Sequence, residues 1–228
     1  MFEVPIITDI DGCVSPKRWA ALDLESLEKL KSYRIFFASG RSQPYMECLS
    51  QTVDNREPYI VENGSAIFSS IHNEYVWIAP TVQELARVRD EIVHRLSSLG
   101  QLIAKIEPGK DFSISCALYS SNKSLISMDE STALIEDRLS DLTGVSILHS
   151  NSAVDITAAG VSKGRALQVL SDIEGFDLSA AYGFGDAEND LSFLSLVGTS
   201  GCPSNALPSV KGQVSYCSVQ PDILGLLD

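Results

Sequence analysis

The sequence predicts an α/β protein in which helices flank a parallel sheet and a smaller α+β domain is inserted into the chain. Near both ends of the chain, short apolar runs alternate with helical patterns, which is typical of parallel sheets. Between these parts the order becomes helix, two strands, helix, two strands, as in small antiparallel α+β units. The length of 228 residues allows one large domain or two small ones. We therefore expect a core at residues 1–79 and 158–228 and an inserted domain at 80–157.

The first part of the chain predicts three strands separated by two helices. Leu24, Leu27 and Leu30 recur at helical spacing, and Asp23 before them suits an N-cap. The strand segments are short and apolar, as buried strands are. We expect all three strands in one parallel sheet. The predicted elements are strands at 4–8, 34–38 and 59–61 and helices at 23–33 and 44–52.

The middle and the end of the chain continue these two patterns. In the middle, Glu107-Pro108-Gly109-Lys110 is a strong turn signal between two strands. The inserted domain is predicted to contain helices at 82–99 and 128–142 and strands at 102–106, 112–119, 145–149 and 153–157. The last part is predicted to contain helices at 163–171, 190–196 and 222–227 and strands at 180–183, 198–202 and 214–217.

The composition limits the function. Lys and Arg total 17 against 30 Asp and Glu, a formal net charge of −13. Such a surface repels nucleic-acid backbones and anionic membranes, so we expect neither as a partner. An anionic substrate would need local positive charge or a metal ion. No apolar run approaches the roughly 18–20 residues of a membrane span.

The cysteines and the N-terminus predict a cytoplasmic protein. The five cysteines are scattered and include no C-x-x-C pair, which argues against a disulfide framework and a structural zinc site. No basic stretch precedes the short apolar run at the N-terminus, so no signal peptide is expected. His72, His94 and His149 are isolated, and we interpret them as structural rather than metal ligands. We expect Trp19 and Trp77 to pack in the core or at a hinge.

The first of four polar clusters is Asp9 with Asp11, directly after the first predicted strand. Residues two apart in an extended chain point to the same side. One carboxylate can attack as a nucleophile, and the other can serve the leaving group. Alone the pair is weak evidence, because about one such pair occurs by chance in this composition.

Two further clusters could bind an anion. Ser39-Gly40-Arg41 combines a hydroxyl, bare amides and a helix start after the second strand. The alternative is an ordinary turn with a capping serine. Lys163 at the start of a helix is a usual phosphate partner, although a solvated surface lysine is the alternative.

The fourth cluster, residues 183–190, is a glycine loop with three acids and an amide at the end of a strand. Asp186 and Asp190 are four residues apart and would share one face of a helical turn. Their hard oxygen ligands suit Mg²⁺. The alternative is an acidic, N-capped helix start.

Together and in this order, the four clusters resemble the motifs of the haloacid dehalogenase superfamily of phosphohydrolases. The insertion resembles the type IIB caps of its Cof-like, sugar-phosphatase and phosphoglycolate-phosphatase branch. The segments Glu62-Asn63-Gly64, Val154-Asp155-Ile156 and Val161-Ser162-Lys163-Gly164 are also similar to that branch. The resemblance spans nearly the whole chain and implies a Rossmann-like core with a smaller α+β cap.

The resemblance also implies roles for individual residues. Asp9 would be the nucleophile and Asp11 the general acid and base. The phosphate- and substrate-binding residues would be Ser39, Gly40, Arg41, Asn63, Lys163 and Asn189. Mg²⁺ would be held by Asp9, the backbone of Asp11, Asp186 and Asp190, with Asn189 as support. Cys13 stands where the family usually has Thr, and we expect a modest effect because the two side chains are similar in size.

The expected function is Mg²⁺-dependent hydrolysis of a small phosphorylated metabolite, such as a sugar phosphate or phosphoglycolate, through an aspartyl-phosphate. The protein would be a monomer or homodimer. One alternative is a phosphomutase of the same superfamily. Another is a signalling module that accepts phosphate on Asp, although receiver folds of about 120 residues lack such an insertion. A glycosyltransferase using the paired aspartates is less favoured, since no nucleotide loop precedes them.

A polar segment in the inserted domain has two possible interpretations. Lys110, Asp111, Ser113 and Ser115 lie in or just before a predicted strand, and alternation puts the two serines on one face. They could contact a hydroxylated leaving group. The interpretation we favour is a strand whose polar face meets solvent.

Overall fold

The computed structural model describes residues 4–16, 22–150 and 153–228. The chain divides into two compact units, one formed by Met1–Ile78 with Ser162–Asp228 and the other by Ala79–Val161. The predicted fold class is confirmed, with a helix-flanked parallel sheet and a small antiparallel sheet. The roles of core and cap stay a prediction. Trp19 lies outside the described residues.

The bounds of the elements follow chain order within the described residues. The strands are β1 (Pro5–Thr8), β2 (Arg34–Phe37), β3 (Tyr59–Val61), β4 (Ala66–Ser69), β5 (Glu74–Ile78), β6 (Ile103–Ile106), β7 (Ile114–Tyr119), β8 (Val145–His149), β9 (Val154–Ala158), β10 (Tyr182–Phe184), β11 (Thr199–Cys202) and β12 (Tyr216–Cys217). The helices are α1 (Leu24–Leu30), α2 (Gln43–Thr52), α3 (Val82–Ser97), α4 (Met128–Arg138), α5 (Lys163–Glu174), α6 (Leu191–Leu194), α7 (Pro208–Lys211) and α8 (Asp222–Leu226). Short 3₁₀ turns cover Glu62–Gly64, Leu178–Ala180 and Glu188–Asp190.

The first unit is built on a five-stranded parallel sheet in the order β12-β11-β10-β1-β2. Strand β1 lies between β2 and β10, and Thr8 at its end is in register with Phe37 and Phe184. Apolar strand residues such as Ile7 and Phe36 are fully buried, with Leu167 of α5 in the same core cluster. The carboxyl ends of β1, β2 and β10 therefore meet at one edge of the sheet.

The helices of the first unit begin at residues that satisfy their free amides. The Asp23 carboxylate accepts a hydrogen bond from the backbone of Ser26, and the Ser162 hydroxyl accepts one from Arg165. Helix α5 extends three residues past its predicted end. Gly175 stops it, because its φ of 68° lies in the left-handed region that glycine adopts without strain.

The third strand departs from the expected topology. Strand β3 has its predicted bounds, but it pairs antiparallel with β4 in a separate sheet of order β3-β4-β5. A single parallel bridge between Ala38 and Ile60 joins it to the end of β2. The expectation that all three strands share one parallel sheet was therefore wrong. The hairpin of β4 and β5 was not predicted, and Asn73 at a φ of 53° helps to reverse the chain between them.

The second unit is a four-stranded antiparallel sheet of order β6-β7-β9-β8 with two helices. Ile114 and Cys116 of β7 face Ile156 and Val154 of β9 in register, and all four are buried. Helix α3 packs on β9 and helix α4 on β8. This layout agrees with the α+β pattern in the sequence. In the part of the chain that the structure describes, no helix is both long and apolar enough to cross a bilayer.

Candidate active site

The residues of the four predicted clusters follow neighbouring strands of the first unit. Asp9 comes directly after β1, and its backbone N–H donates to the carbonyl of Phe184 at 3.0 Å. Ser39 lies two residues after β2, Asp186 two residues after β10, and Lys163 begins α5. The strand order therefore explains why residues far apart in sequence meet at this edge.

Lys163 is the centre of the cluster. Its side chain is only 1% exposed, and Nζ lies 2.7 Å from Oδ1 of Asp9 and 2.6 Å from Oδ1 of Asp190. The alternative interpretation of Lys163 as a solvated surface residue was wrong. An ammonium group that binds two buried carboxylates is held in a fixed place, unlike a flexible surface lysine.

A close backbone approach positions the start of α5. Gly64 has a φ of 98°, and a Cβ added there would lie 2.1 Å from the carbonyl oxygen of Ser162. Any larger residue would push the turn at Glu62–Gly64 away from Ser162. The glycine thus lets this turn pack directly against the residue before Lys163.

Asp190 closes the acidic loop as well as binding Lys163. Its Oδ2 accepts hydrogen bonds from the backbone N–H groups of Asp186 at 2.9 Å and Ala187 at 3.0 Å. Both carboxylate oxygens of Asp190 are therefore engaged, one by the lysine and one by the loop. Asp186 itself is completely buried.

The balance of charge around Asp9 is negative. Burial raises the pKa of Asp9 well above its usual range, and the carboxylates of Asp190 and Asp186 add to this effect against the opposing influence of Lys163. For Lys163, burial disfavours the charge, but Asp190 and Asp9 outweigh it and raise its pKa. One buried ammonium thus lies in a cluster with three buried carboxylates, of which it binds Asp9 and Asp190, so an additional cation is electrostatically favoured here.

The donor set at this point suits a hard divalent cation. Carboxylate oxygens of Asp9 and Asp186 and the sulfur of Cys13 lie within 4.8 Å of one another, and all three residues are buried. Mg²⁺ prefers a few carboxylate or carbonyl oxygens with water and phosphate. Burial also raises the pKa of the Cys13 thiol well above its usual range, and the Asp186 and Asp9 carboxylates raise it further. We therefore regard the oxygens, not the sulfur, as the ligands.

Asp11 is held apart from the lysine cluster by Arg41. Nε of Arg41 donates to Oδ2 of Asp11 at 2.7 Å, and Nη2 donates to Oδ1 at 2.6 Å. Both side chains are 34% exposed, in contrast to the buried Asp9. Asp11 is close enough to Asp9 for its charge to contribute to the raised pKa of Asp9.

Ser39, Gly40 and two asparagines form a second group at the same edge. The backbone N–H of Asn63 donates to the carbonyl of Ser39 at 3.0 Å, and Nδ2 of Asn189 donates to Oδ1 of Asn63 at 3.0 Å. A Cβ on Gly40 would lie 3.1 Å from Oδ1 of Asn63. Among the residues described, buried Nδ2 of Asn63 has no hydrogen-bond partner. This leaves an amide donor available beside Gly40.

Sequence reasoning missed one residue that braces the first loop. Nδ2 of Asn205 donates to the carbonyl of Gly12 at 2.8 Å, and its Oδ1 accepts from the backbone N–H of Asp222 at 2.8 Å. Asn205 lies in the Pro203-Ser204-Asn205 segment after β11. Its position at the carboxyl end of another parallel strand was the available signal.

Apart from the exposed Asp111, the polar segment of the inserted domain does not meet solvent. Lys110 is 6% exposed, Ser113 and Ser115 are fully buried, and the ammonium of Lys110 contacts the hydroxyl of Ser115 and the carboxylate of Asp155. The interpretation of this strand as solvent-facing was therefore wrong. Lys110, Ser115 and Asp155 belong to the second unit, and they form their own buried polar cluster.

The sequence profile of the haloacid dehalogenase-like hydrolases matches residues 90–226, more than half of the 228-residue chain. The chain belongs to this family. It is similar to a phosphoglycolate phosphatase of Methanospirillum hungatei, with 27% identity over 223 residues that cover 95% of this chain and 90% of the relative. The predicted resemblance is thereby confirmed.

Solved structures share the fold of this haloacid dehalogenase-like chain. A protein of Thermoplasma acidophilum gives a TM-score of 0.74 at 17% identity, covering 98% of this chain and 94% of its own. The sucrose-phosphatase of Synechocystis sp. PCC6803, in complex with sucrose and phosphate, gives a TM-score of 0.69 at 20% identity, covering 100% and 96%. The family and the curated relatives together establish an enzyme of the phosphatase type.

Proposed function

We propose that the protein hydrolyses the phosphate monoester of a small phosphorylated metabolite through an aspartyl-phosphate on Asp9, with Mg²⁺ as cofactor. The observation that carries the proposal is the buried cluster in which Lys163 binds Asp9 and Asp190, with Asp186 beside them. A carboxylate, a fixed ammonium and a cation-favouring charge balance are what phosphoryl transfer to Asp requires.

Asp9 and Asp11 would divide the chemistry. A carboxylate oxygen of Asp9 attacks phosphorus in line and forms the new O–P bond while the ester O–P bond breaks. Asp11, whose side chain is 34% exposed, gives a proton to the departing oxygen. In the second step Asp11 takes a proton from water, the water oxygen bonds to phosphorus, and the Asp9–phosphorus bond breaks to release phosphate.

The remaining residues would hold the phosphoryl group during these steps. Lys163, Ser39, the amide of Gly40 and the amides of Asn63 and Asn189 offer positive charge or hydrogen bonds at the same edge of the sheet. Charge in such transition states is spread over the phosphoryl oxygens, so fixed donors there lower the barrier.

The residues that would hold Mg²⁺ are Asp9, Asp186 and the backbone carbonyl of Asp11. When bound, the cation supplies positive charge that allows an anionic substrate to approach a carboxylate nucleophile. Asp190 supports this arrangement, because it fixes both Lys163 and the loop that carries Asp186.

The relatives support a proposal for the substrate class. Several curated relatives that cover most of the chain are phosphoglycolate phosphatases. We therefore propose phosphoglycolate, related phosphorylated acids or sugar phosphates as substrates, with the second unit acting as the cap. A cytoplasmic location and a monomeric or homodimeric state are part of the same proposal.

The test is phosphate release from a panel of these metabolites with Mg²⁺, without it and with chelator. We expect Mg²⁺-dependent release, no bisphosphate intermediate, and loss of turnover by more than about 10⁴-fold in Asp9→Asn. Asp172→Asn, an exposed aspartate on α5, is the matched control and should retain turnover. Full turnover by Asp9→Asn would rule out covalent catalysis at Asp9, and full turnover in chelator would rule out the metal.

A further inference from the structure

We propose that Arg41 is a positioning residue that acts through Asp11 and does not bind the phosphoryl group. The inference rests on the proposed role of Asp11 as acid and base. It assigns to Arg41 the task of presenting that carboxylate to the leaving-group oxygen.

The contact between the two side chains is bidentate. Nε and Nη2 of Arg41 reach different carboxylate oxygens of Asp11, at 2.7 and 2.6 Å. Parallel charge-assisted bonds of this kind fix the plane of the carboxylate as well as its position. A lysine could supply the charge but not two parallel hydrogen bonds from one planar group.

Arg41 is itself fixed at several points in the first unit. Its guanidinium carbon lies 4.7 Å from the ring centroid of Tyr45. Its backbone N–H donates to the hydroxyl of Ser39 at 3.1 Å, and its carbonyl accepts from the N–H of Glu62 at 3.1 Å. These contacts thus hold Arg41 in one conformation before substrate binds. Its two hydrogen bonds then hold the carboxylate of Asp11 in one orientation.

The chemistry of arginine explains why it would act indirectly. A guanidinium stays protonated under all ordinary conditions, so Arg41 cannot supply the proton to the leaving group. Asp11 can do so once its carboxylate has taken a proton from water, and it remains 34% exposed in the pair. The buried Lys163 already offers a cation next to Asp9, so the phosphoryl group has its charge partner without Arg41.

The experiment compares two leaving groups in single turnovers with enzyme in excess. Phosphoglycolate, or the best alkyl phosphate from the panel, needs a proton on its leaving oxygen, whereas 4-nitrophenyl phosphate leaves as a stable phenolate. We expect Arg41→Ala to slow leaving-group release from the alkyl phosphate by about 10²-fold and from the aryl phosphate by less than about threefold. Arg41→Lys should fall between wild type and Arg41→Ala for the alkyl phosphate.

A double-mutant cycle with Asp11→Asn tests whether Arg41 works through Asp11. If it does, adding Arg41→Ala to Asp11→Asn causes no further loss with the alkyl phosphate. Additive losses would show that Arg41 contacts the substrate directly and would overturn the inference. Equal losses with both leaving groups in Arg41→Ala and Arg41→Lys would also overturn it, because they would indicate phosphoryl binding or a loop role.

The same data separate this inference from the proposed function. If Asp11→Asn itself shows no preference for the aryl leaving group, the acid role of Asp11 fails, and with it the inference. If Asp11→Asn shows the preference and Arg41→Ala does not, the inference alone fails. Arg56→Ala, which removes an arginine whose side chain is 78% exposed, is the control and should match wild type with both substrates. Circular dichroism and thermal melting confirm that each variant is folded.

Discussion

Among the residues that the structure describes, each unit buries one lysine against carboxylates, and the two clusters differ in their charge balance. Lys163 binds two buried acids, Asp9 and Asp190, and a third buried acid, Asp186, lies beside Asp9. Lys110 faces one buried acid, Asp155, at 3.4 Å, together with the hydroxyl of Ser115. Its other carboxylate, Glu107, is 38% exposed.

The difference shows what marks a reactive site. A buried lysine with one buried counter-charge and a hydroxyl is neutral overall, and such a pair can serve structure alone. Buried carboxylates in excess of their counter-charges lower the stability of the fold unless a further cation binds to them. We therefore propose that the Lys163 cluster carries the reaction and that the Lys110 cluster has a structural role.

The largest effect is expected for Lys163→Met. The ammonium that neutralises Asp9 and would bind the phosphoryl group is removed, so turnover should fall by about 10³-fold. Lys163→Arg should not rescue, because the side chain is almost fully buried and the larger, planar guanidinium does not replace a compact ammonium held between two carboxylates. Steady-state kinetics on folded variants measures this loss. Turnover within tenfold of wild type would show that the reaction does not depend on the Lys163 ammonium.

Lys110→Met tests the other cluster through stability. Leaving Asp155 buried without its ammonium should lower the free energy of unfolding by about 3–5 kcal/mol, measured by denaturant titration. The double variant Lys110→Met with Asp155→Leu should recover most of that loss. If Lys110→Met abolished turnover without lowering stability, the second cluster would belong to the reaction.

A smaller effect is expected when Mg²⁺ is added to the wild-type protein. A cation that binds the excess carboxylates of the folded state should raise the free energy of unfolding by about 2.7 kcal/mol at a hundredfold excess over Kd. Asp186→Asn should remove this gain. Glu107→Gln, which takes one carboxylate from the Lys110 cluster, should keep it. Equal gains in both variants would show that the cation does not bind at Asp186.

The smallest effect is expected for Glu47→Gln, a carboxylate in neither cluster. Hydrogen bonds from Ser70 at 2.7 Å and Tyr59 at 2.8 Å, with one from Gln51, hold the pKa of Glu47 below its usual value. A lowered pKa stabilises the fold above the unfolded-state pKa, and this contribution is lost as the pH falls through the folded-state pKa. The variant should lose about 1 kcal/mol at neutral pH and progressively less in acid. A loss that grows in acid would contradict this.

Much of the fold could be predicted because local patterns specified it. Strands β3 and β8 have their predicted bounds, since each is a short apolar run between turn residues. The hairpin of β4 and β5 was missed because its turn contains only one strong turn residue, Asn73. Helix α7 was missed because it is four residues long and begins at a proline.

The site also combines features that local sequence patterns reveal with features that they do not. The placement of Asp9, Ser39 and Asp186 follows from where strands end, which a sequence reveals. The burial of Lys163 does not, because it depends on the close approach of Gly64 to Ser162, which are nearly 100 residues apart. The Arg41–Asp11 pair likewise depends on a contact across 30 residues that no local pattern encodes.

The bond between Lys163 and Asp9 joins residues 154 positions apart. During synthesis, a nascent chain that has emerged only as far as β9 already carries Asp9, Asp11 and Arg41 and can form the whole second unit. It still lacks the lysine and the acidic loop, and β1 still lacks its neighbour β10. If the Lys163 cluster carries the reaction, as proposed, we expect no activity on the ribosome until the last third of the chain emerges, and in refolding the recovery of activity should trail the formation of the second unit.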